Sequence, residues 1–193
     1  VLEKNKLDGI DLDFEWAENE KEYKDYSLAI LKMREVLGDK YLFSVSLHPV
    51  CYKISKEAIE AVDFISLQCY GPSPVRFPIE KYCSDIQMVL EYGIPREKLV
   101  AGVPFYGVTK DNSKKTEAYF NFVQNGLVTS PAQNEVIYQG DTYVFDGQDN
   151  IRIKTRYAKE QKLKGMMSWD LATDLPLSDS RSLLKTMTEE LRE

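Results

Sequence analysis

The spacing of apolar residues along this chain switches repeatedly between a period of two and a period of three to four, and that alternation restricts the fold more than any other feature. From Leu7 to Trp16, Ile10, Leu12 and Phe14 alternate with Asp11, Asp13 and Glu15, as a strand with two unlike faces requires. Tyr23, Tyr26, Ile30, Met33 and Leu37 then recur at three- and four-residue steps, the stripe of an amphipathic helix. Asn19 with Glu22 makes a capping pair at its start, and Gly38 a stop at its end. The exchange continues with a strand over Tyr41–Leu47, a short helix around Ser55–Ala61 and a near-continuously apolar strand over Val62–Tyr70. A helix from Ile79 to Tyr92, closed by Gly93 and Pro95, precedes a fourth strand over Leu99–Phe105. A fifth strand, Gly165–Trp169, and a helix over Arg181–Leu191 end the series. The longer insertion before the fifth strand predicts a weaker helix near Glu117–Gln124, a hairpin over Val136–Phe145 turning at Gly140-Asp141, and a helix over Ile151–Lys164.

Strands separated by helices in this way are βαβ units, and such units build a parallel sheet in an α/β fold. No linker, repeat or low-complexity tract divides the chain, so its 193 residues read as one domain with its own core. Acidic residues outnumber basic ones by 31 to 25, a net charge of −6, which argues against a dedicated binder of nucleic acid or of anionic membranes. Cys51, Cys69 and Cys83 contain no C-x-x-C pair, so neither a disulfide framework nor a structural zinc site is expected. No apolar run approaches the ~20 residues of a membrane span.

The chemistry concentrates in Asp8-Gly9-Ile10-Asp11-Leu12-Asp13-Phe14-Glu15-Trp16. Side chains two apart on a strand share a face at ~6–7 Å. Asp11, Asp13 and Glu15 therefore form a file of carboxylates with no base among them, while Asp8 has the opposite parity and reads as structural. Crowded, poorly hydrated carboxylates share protons, and at least one pKa rises. An acid still protonated near neutrality is what general acid catalysis needs. Glu15, last in the file, falls at the C-terminal end of its strand, where parallel α/β folds carry their active sites. Two other readings fit the spacing: a solvated acidic face, or oxygen ligands for magnesium or calcium, although no further acids gather at the other strand ends to complete a cage.

This stretch resembles the D-x-x-D-x-D-x-E signature of glycoside hydrolase family 18, the chitinases and endo-β-N-acetylglucosaminidases. Three more segments agree in order. Ser66-Leu67-Gln68-Cys69-Tyr70 resembles the family's sixth strand. Gly93-Ile94-Pro95 with Gly102-Val103-Pro104-Phe105-Tyr106-Gly107 resembles the seventh, and Gly165-Met166-Met167-Ser168-Trp169-Asp170 the eighth.

The resemblance implies a TIM (β/α)₈ barrel, present here as a partial barrel of about five βα units that lacks the first three strands. Residues 1–193 would then be the C-terminal part of a single catalytic domain, truncated at its N-terminus. It implies a glycosidase that cleaves β-1,4 linkages next to N-acetylglucosamine, with the substrate's own acetamido group as nucleophile and with no cofactor or metal. Glu15 would act as general acid and then base, Asp13 would stabilise the acetamido group, and Asp11 would share a proton with Asp13. Tyr70 would hydrogen-bond the acetamido carbonyl. Trp169 would form the floor under the sugar, with Gln68, Tyr106 and Trp16 lining the cleft. Cis peptide bonds are expected after Glu15 and after Trp169. A secreted or cell-envelope location is implied, as is a saccharide partner: chitin, chitooligosaccharides or the core of N-glycans.

Gly71, after Tyr70, departs from the acid or amide common in the family. The insertion is too short for the full domain of deep-cleft members, so a shallower cleft is expected. The lone His48, before Pro49, has no partner set for metal or nucleophilic work and reads as structural or peripheral. Cys69 reads as packing, and Tyr138 and Tyr143 as hairpin stabilisers. Two functional alternatives stay open: a non-catalytic chitin-binding relative, and a metal-dependent transferase that uses the acidic file. Because a complete barrel needs ~250 residues, an open sheet is expected to expose the edge of its acidic strand. That exposure predicts weak catalysis or self-association through this edge.

Overall fold

The computed structural model describes residues 1–70, 77–111 and 115–192. Gly71 lies outside the described residues. A short helix, α1 (Leu2–Asn5), precedes β1 (Gly9–Asp13), α2 (Glu20–Leu37), β2 (Leu42–Leu47), α3 (Lys56–Ala61), β3 (Phe64–Leu67), α4 (Ile79–Tyr92) and β4 (Leu99–Pro104). The insertion contains β5 (Tyr106–Thr109), β6 (Thr116–Ala118), α5 (Tyr119–Gln124), β7 (Glu135–Tyr138), β8 (Asp141–Val144) and α6 (Gln148–Glu160). Then follow β9 (Gly165–Trp169) and α7 (Leu183–Arg192).

Strands β1-β2-β3-β4-β9 form one five-stranded sheet, and every pairing in it is parallel. It is a partial TIM barrel, about five βα units of the fold expected from the sequence. The register explains how one sheet serves both a core and a cleft. Asp11 pairs with Ser44, Asp13 with Ser46, and Ser46 with Ser66, so neighbouring polar residues share a face. The residues between them, Val45, Leu47, Ile65, Leu67, Ala101 and Val103, point the other way and are buried. They pack on Tyr26 and Ile30 of α2, Ala58 of α3, Ile86 and Val89 of α4, Ile151 of α6 and Met187 of α7. Burying each such side chain stabilises by about 1.5–3 kcal/mol. The apolar face is therefore committed to the helices, and the polar face is left for the cleft.

Local signals set the helix ends. Asn19 Oδ1 accepts the Glu22 backbone N–H at 3.1 Å, and Glu22 Oε2 accepts that of Glu18 at 2.7 Å, closing the first turn of α2. Gly93, at φ 115°, ends α4.

The insertion departs from the sequence expectation. It builds a four-stranded sheet, ordered β6-β5-β8-β7, rather than a lone hairpin. The hairpin turns at Gln139-Gly140, both with positive φ (51° and 86°), and not at Gly140-Asp141. Two consecutive left-handed residues make the tight turn that matches strand twist, and glycine takes the second of them without strain. Helix α6 begins three residues earlier than its apolar stripe suggested, and Lys154 and Asp146 form a buried ion pair beside it. Tyr138 and Tyr143 pack on Phe122, with ring centres 5.9 and 5.4 Å away, which is ordinary hairpin packing. Among the described residues no helix is long and apolar enough to cross a membrane.

Candidate active site

The polar face of the five-stranded sheet opens at the C-terminal strand ends into a cleft of about 880 Å³. Most of its residues follow from strand parity: Asp11, Asp13 and Glu15 from β1 and its exit, Ser44, Ser46 and His48 from β2 and its exit, Ser66 and Gln68 from β3 and its exit, and Met167 and Trp169 from β9. Trp16 and Ser168, of the opposite parity, also reach it. All eight residues singled out from the sequence, Asp11, Asp13, Glu15, Trp16, Gln68, Tyr70, Tyr106 and Trp169, line this one cleft.

The acids differ in their surroundings. Asp11 is seated by two hydroxyls: Ser44 Oγ donates to its Oδ1 at 2.5 Å and Ser46 Oγ to its Oδ2 at 2.8 Å. Asp13 accepts a single, longer bond from Gln68 Nε2 at 3.3 Å. Partial desolvation in the cleft, then the charges of Glu15 and Asp11, push the Asp13 carboxyl above the usual aspartate range, and the Gln68 bond only partly opposes this. Glu15 stands beyond the last paired residue of β1, with its side chain exposed to the cleft. The peptide bonds after Glu15 and after Trp169 are both cis.

Opposite the acids, Trp169 leaves its ring 57% exposed, an apolar surface facing open space at the end of β9. Tyr70 is buried, and burial pushes its phenol far above the ordinary tyrosine value, so it stays protonated and can donate. Its hydroxyl meets Met167 Sδ at 3.8 Å. Tyr106 packs edge-on against Tyr70 and against Phe77, with ring centres 6.3 and 6.2 Å apart. Trp16 leans on His48 with ring centres 5.2 Å apart. His48 is thus a buried wall residue of the cleft. Cys69 is fully buried, with its thiol pushed up to about 12, as a packing residue should be.

The serines that seat Asp11 were not singled out from the sequence. Their signal was present in the alternation of Ser44 and Ser46 with Phe43 and Val45, but their partner depends on the register between strands. Gly102 was likewise missed as a site residue. A Cβ there would stand 2.7 Å from Leu67 O, 2.9 Å from Met167 Cε and 3.0 Å from Tyr70 Cε1. Gly102→Ala is expected to destabilise by about 1–3 kcal/mol through overpacking and to push the Tyr70 ring toward the cleft. Thermal melts with near-ultraviolet circular dichroism check this, and an unchanged melt and spectrum would count against it.

A second cavity, about 310 Å³, lies on the other side of Tyr106 and Trp169, which line both. Glu117 and Ala118 of the insertion and Asp170 help to wall it. Among the described residues no group of His, Cys, Asp or Glu is arranged to hold a metal ion. The file of acids instead offers proton transfer and charge stabilisation beside an apolar platform, an arrangement suited to a sugar ring.

A family model described as glycosyl hydrolases family 18 matches residues 1–174. A protein named probable chitinase 2 from Drosophila melanogaster is 23% identical over 237 residues, covering 90% of this chain and 49% of its own length. The chain therefore spans about half of that relative. A solved family 18 chitinase of Flavobacterium johnsoniae is similar with a TM-score of 0.80 at 27% identity, over 98% of this chain and 62% of the other. A chitinase structure from Bacteroides thetaiotaomicron shares the fold at a TM-score of 0.84 and 20% identity, over 98% of this chain and 65% of its own.

Proposed function

The chain belongs to glycosyl hydrolases family 18, and on that footing we propose that it cleaves β-1,4 linkages next to N-acetylglucosamine in chitin or chitooligosaccharides, by a retaining mechanism in which the substrate supplies the nucleophile. The observation that carries this reading is that Asp13, Glu15, Tyr70, whose phenol burial keeps protonated, and the open face of Trp169 all line one cleft.

In this reading one N-acetylglucosamine ring lies on Trp169 with its acetamido group toward Asp13 and Tyr70. Glu15 donates a proton to the glycosidic oxygen as the C1–O bond breaks. The acetamido carbonyl oxygen attacks C1 from the opposite face and closes an oxazolinium ring. Asp13 holds the acetamido N–H and stabilises the positive charge that develops, while Tyr70 donates to the carbonyl oxygen and aligns it. Asp11, seated by the Ser44 and Ser46 hydroxyls, tunes Asp13, whose carboxyl its nearby charge helps to raise. Glu15, now a carboxylate, takes a proton from water, which reopens the ring at C1 with net retention. Because Tyr106 and Trp169 border a second cavity, the substrate is an oligosaccharide that runs past the reacting ring.

The mechanism makes the acetamido group indispensable. An N-acetylated fluorogenic chitooligosaccharide is expected to be hydrolysed at least about 10³-fold faster than its fully de-acetylated counterpart, since an intramolecular nucleophile carries a large effective molarity. Equal rates on the two substrates would sink the mechanism, and saccharide binding with no turnover of either would select a non-catalytic binding role.

A further inference from the structure

We infer that Cys51 is a positioning residue for Glu15, acting through the backbone of Ala17; the inference rests on the proposed role of Glu15 as acid and base. The ladder between β1 and β2 ends at the pair Asp13–Ser46. Glu15 therefore projects past the last pair of that ladder, and among the described residues no strand pairing holds its backbone. The first buried residue after it is Ala17, which is 2% exposed. The Ala17 N–H donates to Cys51 Sγ at 3.3 Å. Cys51 is 1% exposed and is itself immobilised: its N–H donates to His48 O at 2.7 Å and its O accepts the His48 N–H at 3.2 Å. That turn follows Leu47, the last residue of β2, so the thiol is an extension of the central sheet.

Other contacts gather on the same turn. Tyr23 of α2 donates its hydroxyl to Val50 O at 3.2 Å, and the Trp16 ring rests on His48. On the far side, Glu22 caps the Glu18 N–H. Among these anchors, the thiol is the one that binds the exit of β1 to β2 through a buried backbone donor. A buried N–H left without an acceptor must find water or move, and either outcome shifts Glu15, two residues away. The sugar platform, by contrast, comes from Trp169 of β9, with Tyr106 of β5 beside it, which this bond does not touch. Losing the bond should therefore damage chemistry more than binding.

Cys51→Val removes the acceptor and replaces the thiol with a somewhat larger apolar side chain, whereas Cys51→Ser keeps an acceptor. On an N-acetylated fluorogenic oligosaccharide, C51V in the full chain is expected to lower kcat about 10-fold with KM changed less than about 2-fold, because small displacements of a reacting group are costly. C51S is expected to recover most of that loss. In amide hydrogen exchange, the Ala17 N–H should exchange at least about 10-fold faster in C51V than in the wild type. A C51V protein with wild-type kcat, an equal loss in C51S and C51V, or unchanged Ala17 exchange would each overturn the inference. If the wild type turns over no N-acetylated substrate, the glycosidase reading fails, and the exchange of Ala17 alone then decides whether Cys51 is the anchor.

Discussion

Glu15→Gln is expected to lower the turnover of an N-acetylated oligosaccharide by about 10³-fold, within the 10²–10⁴-fold range of general acid–base catalysis, and to leave saccharide binding within a few-fold of wild type. The amide matches the carboxyl in size and cannot deliver a proton. Glu15 is also exposed in the cleft and stands outside the strand ladder, so the substitution removes little packing. In the proposed reading, binding rests instead on the Trp169 face, the Tyr70–Tyr106 wall and Gln68, which line the same cleft. Steady-state kinetics on the fluorogenic substrate, with calorimetric titration of the same oligosaccharide, read the two quantities separately. Residual activity within 10-fold of wild type would assign the proton to another group.

Asp13→Asn should have two effects of opposite sign. Turnover should drop by about 10²–10³-fold, because a neutral amide cannot stabilise the charge that builds on the oxazolinium ring. Stability at neutral pH should rise. The Asp13 carboxyl is pushed above its usual range, chiefly by desolvation and then by Glu15 and Asp11, so ionising it costs more in the folded chain than in the unfolded one. Below the unfolded value, ~3.9, both states are protonated and the group contributes nothing. As pH rises from there, the unfolded chain releases its proton first and gains relative to the folded one. The penalty is complete once pH passes the raised folded value. The melting temperature of D13N minus that of wild type should therefore be near zero at pH 3 and positive at pH 7. A difference that is flat with pH, or negative at neutrality, would contradict the raised folded value.

Much of this architecture was readable before any coordinates. Helix α4 spans Ile79–Tyr92 as its stripe and Gly93 imply, and β9 spans Gly165–Trp169. Both carry strong local signals: a period, a stop, an apolar run. The file of acids was readable for the same reason, since parity on one strand needs no knowledge of any other. Strand β5 was not. It leaves β4 with only Phe105 between them, so no turn residue marks where the chain changes sheets. Strand β6 is three residues long, with no alternation to detect. The seat of Asp11, the space Gly102 leaves for Tyr70, and the grip of Cys51 on Ala17 all join residues far apart in sequence. Each depends on register or approach between elements, which the pattern within one element does not encode.

The order of the strands has a mechanical consequence. The acids ride on β1 and the indole of Trp169 on β9, the two outermost strands of the sheet. Four parallel ladders lie between them. Their relative orientation is set by the rotation accumulated across those ladders, each typically about 20–25°. In the proposed binding mode the sheet acts as the bow of a caliper, with the acids at one tip and Trp169 at the other, on either side of the reacting ring. Repacking a helix against β3, in the middle of the bow, would alter the opening at the tips without touching any residue that meets the substrate. In that mode, selectivity for the thickness of the ring would be a property of the sheet's curvature.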